Sequence, residues 1–113
     1  MIVLPFPPSS LSGHAKGHWR AKAAATKKHR EWARLATLSA APTVPESGDI
    51  RVHVRFVPPD RRSDRGNFPV RMKAYFDGIA DGLGVNDRRF VPFYEFAEPQ
   101  KPGQVVVTVG GDA

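Results

Sequence analysis

The most regular pattern in the chain is an alternation of apolar and basic residues from Asp49 to Val57. Successive side chains of a strand point to opposite faces, so this pattern predicts a strand with one buried face and one basic face. The expected buried residues are Ile50, Val52, Val54 and Phe56, and the expected basic residues are Arg51, His53 and Arg55.

Three shorter segments predict further strands. Met1–Phe6 is apolar and is followed by Pro7 and Pro8, which is typical of an edge or first strand. Phe90–Phe96 is a second apolar segment, and Gln104–Val109 follows a Pro-Gly turn. Together with the strand at 49–57, these segments predict four strands.

Two longer segments predict helices. Residues 16–41 contain many good helix formers, with Ala25, Trp32, Leu35 and Ala36 forming a partial apolar stripe. Within it Trp32 is expected in the core and Trp19 in the open. Residues 70–81 place Met72, Phe76 and Ile79 on one apolar face, and Gly82 and Gly84 are expected to end this helix.

The resulting order βαβαββ predicts an α/β (α+β) fold in which two main helices pack on a mixed four-stranded sheet. A chain of 113 residues is long enough for one modest hydrophobic core. We therefore expect residues 1–113 to form a single small domain.

The charge balance changes the expected partners. Seventeen Lys and Arg residues against eleven Asp and Glu residues give a net charge of +6, and the isoelectric point is about 10.2. Such a surface attracts polyanions, so nucleic acid is the expected partner. A basic protein associated with RNA or the ribosome is an alternative that charge and size alone would also explain.

Several classes are excluded or disfavoured. The chain has no cysteine, which excludes disulfides, thiolate zinc sites and a cysteine nucleophile. No apolar run is long enough to span a bilayer, and the first residues lack the pattern of a signal peptide. We therefore expect a cytoplasmic protein without a membrane partner or a small-molecule cofactor.

Acidic and basic residues are mixed between residues 58 and 89. Asp60 and Asp64 lie in a loop rich in arginine, and Asp87 lies in the turn after the second helix. Such mixing has two explanations: surface ion pairs that contribute little, or a hard-cation site within a phosphate-binding surface. By spacing alone, ion pairs are the more common explanation.

Motifs along most of the chain resemble those of the RusA-type Holliday junction resolvases. The resemblance begins with Leu4-Pro5-Phe6-Pro7-Pro8-Ser9 and continues with a basic first helix, from Gly17-His18-Trp19-Arg20 to Trp32. Its central motifs are Pro59-Asp60-Arg61-Arg62, Asp64-Arg65-Gly66-Asn67, Lys73, Asp77-Gly78 and Gly84-Val85-Asn86-Asp87. Each motif is weak alone, whereas their order and spacing are together fairly specific.

The resemblance implies a metal site at Asp64 and Asp87 and a catalytic role for Lys73 as well as for both aspartates. This chain departs from the family pattern at Gly66, where the family has a second aspartate, and in a small insertion, Phe68-Pro69-Val70. Asp60 or Asn67 could then supply the missing ligand, or water could fill its position.

The activity implied is that of a homodimeric, Mg²⁺-dependent endonuclease of bacteria or their phages, with Mn²⁺ as an alternative ion. Its substrate would be branched DNA in recombination and repair. The residues expected to contact nucleic acid are Arg51, Arg55, Arg61, Arg62, Arg65, Arg71 and Arg88. The change at Gly66 leaves open a DNA-binding protein of the same fold that does not cut. His14 and His18 are expected to be solvated.

Overall fold

The computed structural model describes residues 1–11 and 19–110. In that part of the chain, four strands and two α-helices occur in the predicted order. They are β1 (Ile2–Pro5), α1 (Trp19–Ala40), β2 (Ile50–Val57), α2 (Lys73–Leu83), β3 (Phe90–Phe96) and β4 (Gln104–Val109). The predicted α+β fold, with a mixed four-stranded sheet and two main helices, is confirmed.

The strands are arranged in the order β1-β4-β2-β3. β4 lies between β1 and β2 and pairs antiparallel with both, with Leu4 opposite Val105 and Val54 opposite Val107. β3 pairs in parallel with the other side of β2. β1 is therefore an edge strand, as predicted. Pro92 lies in the other edge strand, where a missing backbone N–H is tolerated.

The alternation in β2 divides the sheet into a covered face and an open face. Ile50, Val52, Val54 and Phe56 are completely buried, as predicted. They belong to a core that also contains Ala33 of α1 and Tyr75 and Ile79 of α2. Arg51 and Arg55 are exposed on the opposite face. Both helices therefore cover one side of the sheet, and the basic side is left to solvent.

Glycines allow α1 and α2 to approach each other closely. A Cβ atom added at Gly78 would lie 2.1 Å from the carbonyl oxygen of Arg30, and one at Gly82 would lie 2.9 Å from Cβ of Thr37. The buried residues of α1 are His29, Ala33 and Thr37, which are spaced four apart along one side of the helix. Beside this contact, Arg30 donates two hydrogen bonds to Asp81, at 2.6 and 2.9 Å.

This close contact changes the predicted apolar stripe of α1. Trp32 is 38% exposed, so the prediction that it lies in the core is wrong, and Leu35 of the same stripe is 51% exposed. Ala36 of the stripe is partly buried and packs against the core. Gly78 and Gly82 of α2 lie against Ala33 and Thr37, where only small side chains fit. The larger His29 packs against the Tyr75 ring at 5.5 Å. Trp19 is exposed, as predicted.

α2 begins and ends later than predicted. Pro69 starts a short 3-10 turn, Pro69–Met72, and the α-helix proper starts at Lys73. Gly82 lies inside the helix, and Gly84 ends it with a left-handed φ of 69°, a conformation that glycine adopts without strain. The predicted stop at Gly82 is therefore wrong and the one at Gly84 is confirmed.

His14, His18 and positions 16–18 of the predicted first helix lie outside the described residues. Among the residues that the structure describes, no helix is long and apolar enough to cross a membrane.

Candidate functional site

Two turns flanking α2 carry the acidic residues of interest. The first is a 3-10 turn, Arg65–Asn67, preceded by Asp64. The second is a 3-10 turn, Asp87–Arg89, whose amino end is capped by the Asn86 side chain accepting a hydrogen bond from the backbone N–H of Arg88. Lys73 is the first residue of α2. Each of these residues is therefore fixed by a helix start or a capped turn.

Lys73, Asp77 and Asp87 meet at one ammonium group, and we call them the lysine trio. Lys73 Nζ donates to Asp77 Oδ1 and to Asp87 Oδ2, both at 2.9 Å. Two oxygens that share one nitrogen in this way can be no more than twice that distance apart. The structure thus brings together two residues singled out by the sequence, Lys73 and Asp87, which lie 14 positions apart.

The trio is exposed enough to meet a ligand. The side chains of Lys73 and Asp87 are 71% and 36% exposed, and that of Asp77 is 22% exposed. The hydrogen bonds to Asp77 and Asp87 raise the pKa of Lys73, and the hydrogen bond from Lys73 lowers the pKa of Asp87. Lys73 is therefore held as an ammonium and Asp87 as a carboxylate.

Asp64 has a different environment. Its Oδ1 accepts a hydrogen bond from the backbone N–H of Gly66 at 3.0 Å, which caps the Arg65–Asn67 turn. Within the described ranges, no hydrogen bond or ion pair joins Asp64 to the lysine trio. The Asp64 carboxylate therefore caps its own turn.

Gly66 has an ordinary backbone conformation, since it is not among the glycines with positive φ. A Cβ atom there would meet only the Asp64 side chain, at a normal contact distance of 3.5 Å. The backbone therefore does not require glycine at the position where the resolvase pattern has aspartate.

The other two candidate ligands are tied to their own loops. Asp60 Oδ1 accepts from the backbone N–H of Arg62 at 2.9 Å, and the backbone N–H of Asn67 donates to the Asp64 carbonyl at 3.0 Å. Considering only the residues that the structure describes, no group of three or more His, Asp or Glu side chains is arranged to hold a metal ion.

The loop arginines fall into three environments. Arg61 pairs with Glu98, and Arg62 lies 3.9 Å from Asp60. Arg65 and Arg88 are exposed, and their side chains make no ion pair or hydrogen bond with any described residue. These last two are available to an anionic partner.

Arg71 differs from the other loop arginines because it is 7% exposed. Its guanidinium packs 5.4 Å from the centre of the Phe68 ring, and Nη1 donates to the Pro7 carbonyl at 3.4 Å. Arg71 was expected to contact nucleic acid, and among the loop arginines it is the one that is buried. The cause is the 3-10 turn that begins at Pro69, which directs Arg71 toward the segment after β1.

On the open face of the sheet, side chains of β3 contact the basic side chains of β2. His53 and Arg55 lie 3.3 and 3.7 Å from Glu95, and Arg51 packs over the Phe93 ring at 5.5 Å. The exposed face is therefore basic and aromatic, with the Glu95 carboxylate beside His53 and Arg55.

Asp77 was named in the motifs but not among the candidate site residues, because a Lys-Asp pair four positions apart is also an ordinary helix-surface pair. Only the turn that brings Asp87 to the same ammonium makes it part of a site. Arg71 could not have been recognised as buried, since nothing in its sequence surroundings distinguishes it from Arg61, Arg62 and Arg65.

No model of a known protein family matches this chain. A protein of Xylella fastidiosa (strain Temecula1), described only as "Uncharacterized protein", is 39% identical over 116 aligned positions. The alignment covers 97% of this chain and 75% of the Xylella protein.

Proposed function

This chain belongs to one family with the Xylella fastidiosa protein, and we propose that it is a Mg²⁺-dependent endonuclease that nicks branched DNA such as Holliday junctions. The observation that carries the proposal is the 2.9 Å hydrogen bond between Lys73 and Asp87. The motif resemblance implies a catalytic role for these two residues, and they lie within hydrogen-bond distance although they are 14 positions apart in the sequence.

Lys73 would act on the phosphodiester. A protonated ammonium can stabilise negative charge that develops on a phosphoryl oxygen or on the leaving oxygen. Asp77 and Asp87 keep this ammonium charged and point it to one place, which preserves its geometry before substrate arrives. In this scheme Asp77 is a positioning residue.

Carboxylate oxygens of Asp64 and Asp87 would hold the cation, with Asp60 or Asn67 as the expected source of a third ligand. These oxygen donors fit Mg²⁺, or Mn²⁺ in its place, because Mg²⁺ needs only one or two carboxylates besides water and substrate phosphate. When bound, the ion supplies an activated water and neutralises phosphate charge. Asp64 would exchange its bond to Gly66 N–H for this role, or keep that bond through its second oxygen.

A DNA-binding protein that does not cut is the second candidate. Two observations favour it: Gly66 stands where the resolvase pattern has a carboxylate, and Asp64 is occupied in capping a turn. Binding would use the exposed Arg65 and Arg88 together with the paired Arg61 and Arg62.

The setting proposed with this activity is cytoplasmic, in a bacterium or its phage, in DNA recombination and repair. A homodimer would suit a four-way junction, because two symmetric strands have to be nicked.

The test is nicking of a synthetic four-way junction with Mg²⁺, compared with linear duplex of the same sequence. We expect the wild type to nick the junction and expect Lys73→Gln and Asp87→Asn to lower the rate at least about a hundredfold, as loss of a group that stabilises transition-state charge does. The matched control is Lys101→Gln, because Lys101 is exposed and lies in the β3–β4 connection, at the opposite end of β3 from Asp87.

Junction binding without nicking by the wild type, in Mg²⁺ and in Mn²⁺, would select the second candidate. Equal nicking rates for wild type and Asp87→Asn would refute the assigned role of the trio.

A further inference from the structure

A cleft of about 260 Å³ lies beside the 3-10 turn that precedes α2. Its walls are rigid, because five prolines from three separate segments line it: Pro7, Pro8, Pro58, Pro59 and Pro102. We call it the proline cleft. Polar groups also line it, namely Arg62, Arg71, Asp60, Ser9 and Ser63.

Arg71 is the unusual member of this lining. It is more than nine-tenths buried, yet no carboxylate among the described residues pairs with it. Its Nε is buried without a hydrogen-bond partner in that part of the chain, and its one hydrogen bond there, to the Pro7 carbonyl, is long at 3.4 Å. Burial lowers the pKa of the guanidinium. A buried cation without a counter-charge is costly, and a bound anion would offset that cost.

Asp60 does not provide the missing counter-charge. Its carboxylate accepts the backbone N–H of Arg62 at 2.9 Å and lies 3.9 Å from Nε of the same arginine. Asp60 and Arg62 therefore balance each other, and the positive charge of Arg71 remains. With two arginines against one aspartate, the cleft carries one net positive charge.

We infer that the proline cleft is a phosphate-binding site in which Arg71 supplies the buried charge. Resting on the proposed function, we assign the phosphate to a DNA strand. Arg71 lies two residues before Lys73, so the cleft and the lysine trio adjoin the same short segment of chain. A planar guanidinium suits the anchoring of a phosphate of that strand.

The experiment follows the Nε–Hε signal of Arg71 by NMR in the intact wild-type chain. Three probes are titrated separately: inorganic phosphate, a short thymidine oligonucleotide without terminal phosphates, and the same oligonucleotide with a 5′-phosphate. Acetate serves as a carboxylate anion for comparison. We expect saturable shifts with phosphate and with both oligonucleotides, at lower concentration than with acetate, while the signal of Arg34, which pairs with Glu31 on α1, changes weakly and without saturation.

In parallel, Arg71→Gln is expected to weaken oligonucleotide binding about tenfold or more, as loss of a hydrogen bond to a charged group does. The matched control Arg34→Gln removes an arginine that is paired with Glu31 on α1, and it should weaken binding less than about threefold. If Arg71→Gln does not fold, the wild-type titration decides alone.

An unmoved Arg71 signal with every probe overturns the inference and leaves the residue a structural tie to Pro7. Shifts with inorganic phosphate but not with either oligonucleotide overturn the assignment to DNA. Saturable shifts with the oligonucleotides in a protein that never nicks a junction support the phosphate site while the proposed catalytic function fails. Nicking of a junction without any shift of the Arg71 signal supports the proposed catalytic function and overturns the phosphate site.

Discussion

At the scale of single residues, Gly66 offers the most direct manipulation of the proposed site. Its backbone is ordinary and a Cβ has room beside Asp64, so aspartate can be introduced without strain. We expect Gly66→Asp to lower the Mg²⁺ concentration needed for nicking and to raise the nicking rate, because it restores the carboxylate of the resolvase pattern. The measurement is nicking rate against Mg²⁺ concentration.

Gly66→Ala is the control, because it adds the Cβ without the charge and should behave like the wild type. A lower rate for Gly66→Asp at every Mg²⁺ concentration would mean that the added charge repels substrate and has no ion to bind.

The hydrogen bond between Lys73 and Asp87 leads to a prediction about the titration of Asp87. Lys73 lowers the pKa of Asp87, so Lys73→Gln should raise the pKa of Asp87 toward the value of an ordinary aspartate. The favourable interaction is complete at pH values above the ordinary aspartate pKa and is lost as the pH falls through the lowered pKa in the folded protein. Carbon-13 NMR of the Asp87 carboxyl group measures the shift.

Asp81 is the internal control for this titration, because its pKa is lowered by the separate hydrogen bond from Arg30. It should titrate alike in the wild type and in Lys73→Gln. If Asp87 also titrates unchanged, the contact with Lys73 does not persist in solution.

The sequence named Lys73 and Asp87 as candidate site residues but did not predict the hydrogen bond that joins them. Motif order identifies residue types, whereas the meeting of two side chains depends on how a capped turn after α2 directs Asp87. The burial of Arg71 could not be predicted from the sequence either, because it depends on the turn that begins at Pro69 and on a carbonyl 64 positions away.

At the scale of elements, the α1–α2 contact depends on the missing side chain of Gly78. We expect Gly78→Ala to destabilise the fold by about 3 kcal/mol or more, because the methyl group would collide with backbone, which cannot move aside as a flexible side chain can. Urea denaturation measures the change.

Gly84→Ala is the matched comparison. A Cβ at Gly84 meets nothing within 4 Å, so only its left-handed conformation is penalised, at a cost of about 1 kcal/mol. Equal losses for the two variants would show that α1 and α2 can separate at low cost.

Period-two alternation was enough to place β2 and its buried face, because a strand buried on one side has only one register that hides its apolar residues. The face of α1 could not be predicted in the same way. Large apolar residues mark Trp32 and Leu35 as the expected contacts, while the glycines of the partner helix lie against Ala33 and Thr37. Contacts between helices that are made by small residues are hard to predict from the pattern of large apolar residues.

At the scale of the whole molecule, a net charge of +6 should make nucleic-acid binding depend steeply on salt. We expect the logarithm of the affinity to fall with the logarithm of salt concentration, with a slope of several units. Arg65→Gln and Arg88→Gln should each reduce that slope by about one, because both arginines are exposed and without an acidic partner among the described residues.

Arg34→Gln is the control, because Arg34 pairs with Glu31 on α1 and its loss should leave the slope nearly unchanged. Fluorescence anisotropy with a labelled junction provides the measurement. A flat salt dependence would indicate a partner that is not a nucleic acid.

The position of β4 between β1 and β2 has a consequence for biosynthesis. A ribosome releases β1 and β2 well before residues 104–109, yet each needs β4 as its hydrogen-bonded neighbour. Until then both strands carry an open edge that can pair with other nascent chains. Lys73, Asp77 and Asp87 are all translated before the strand that completes the sheet. Termination shortly before residue 104 would therefore release a chain that contains every residue of the trio but lacks β4. Such a chain would have an incomplete sheet and would be prone to aggregate.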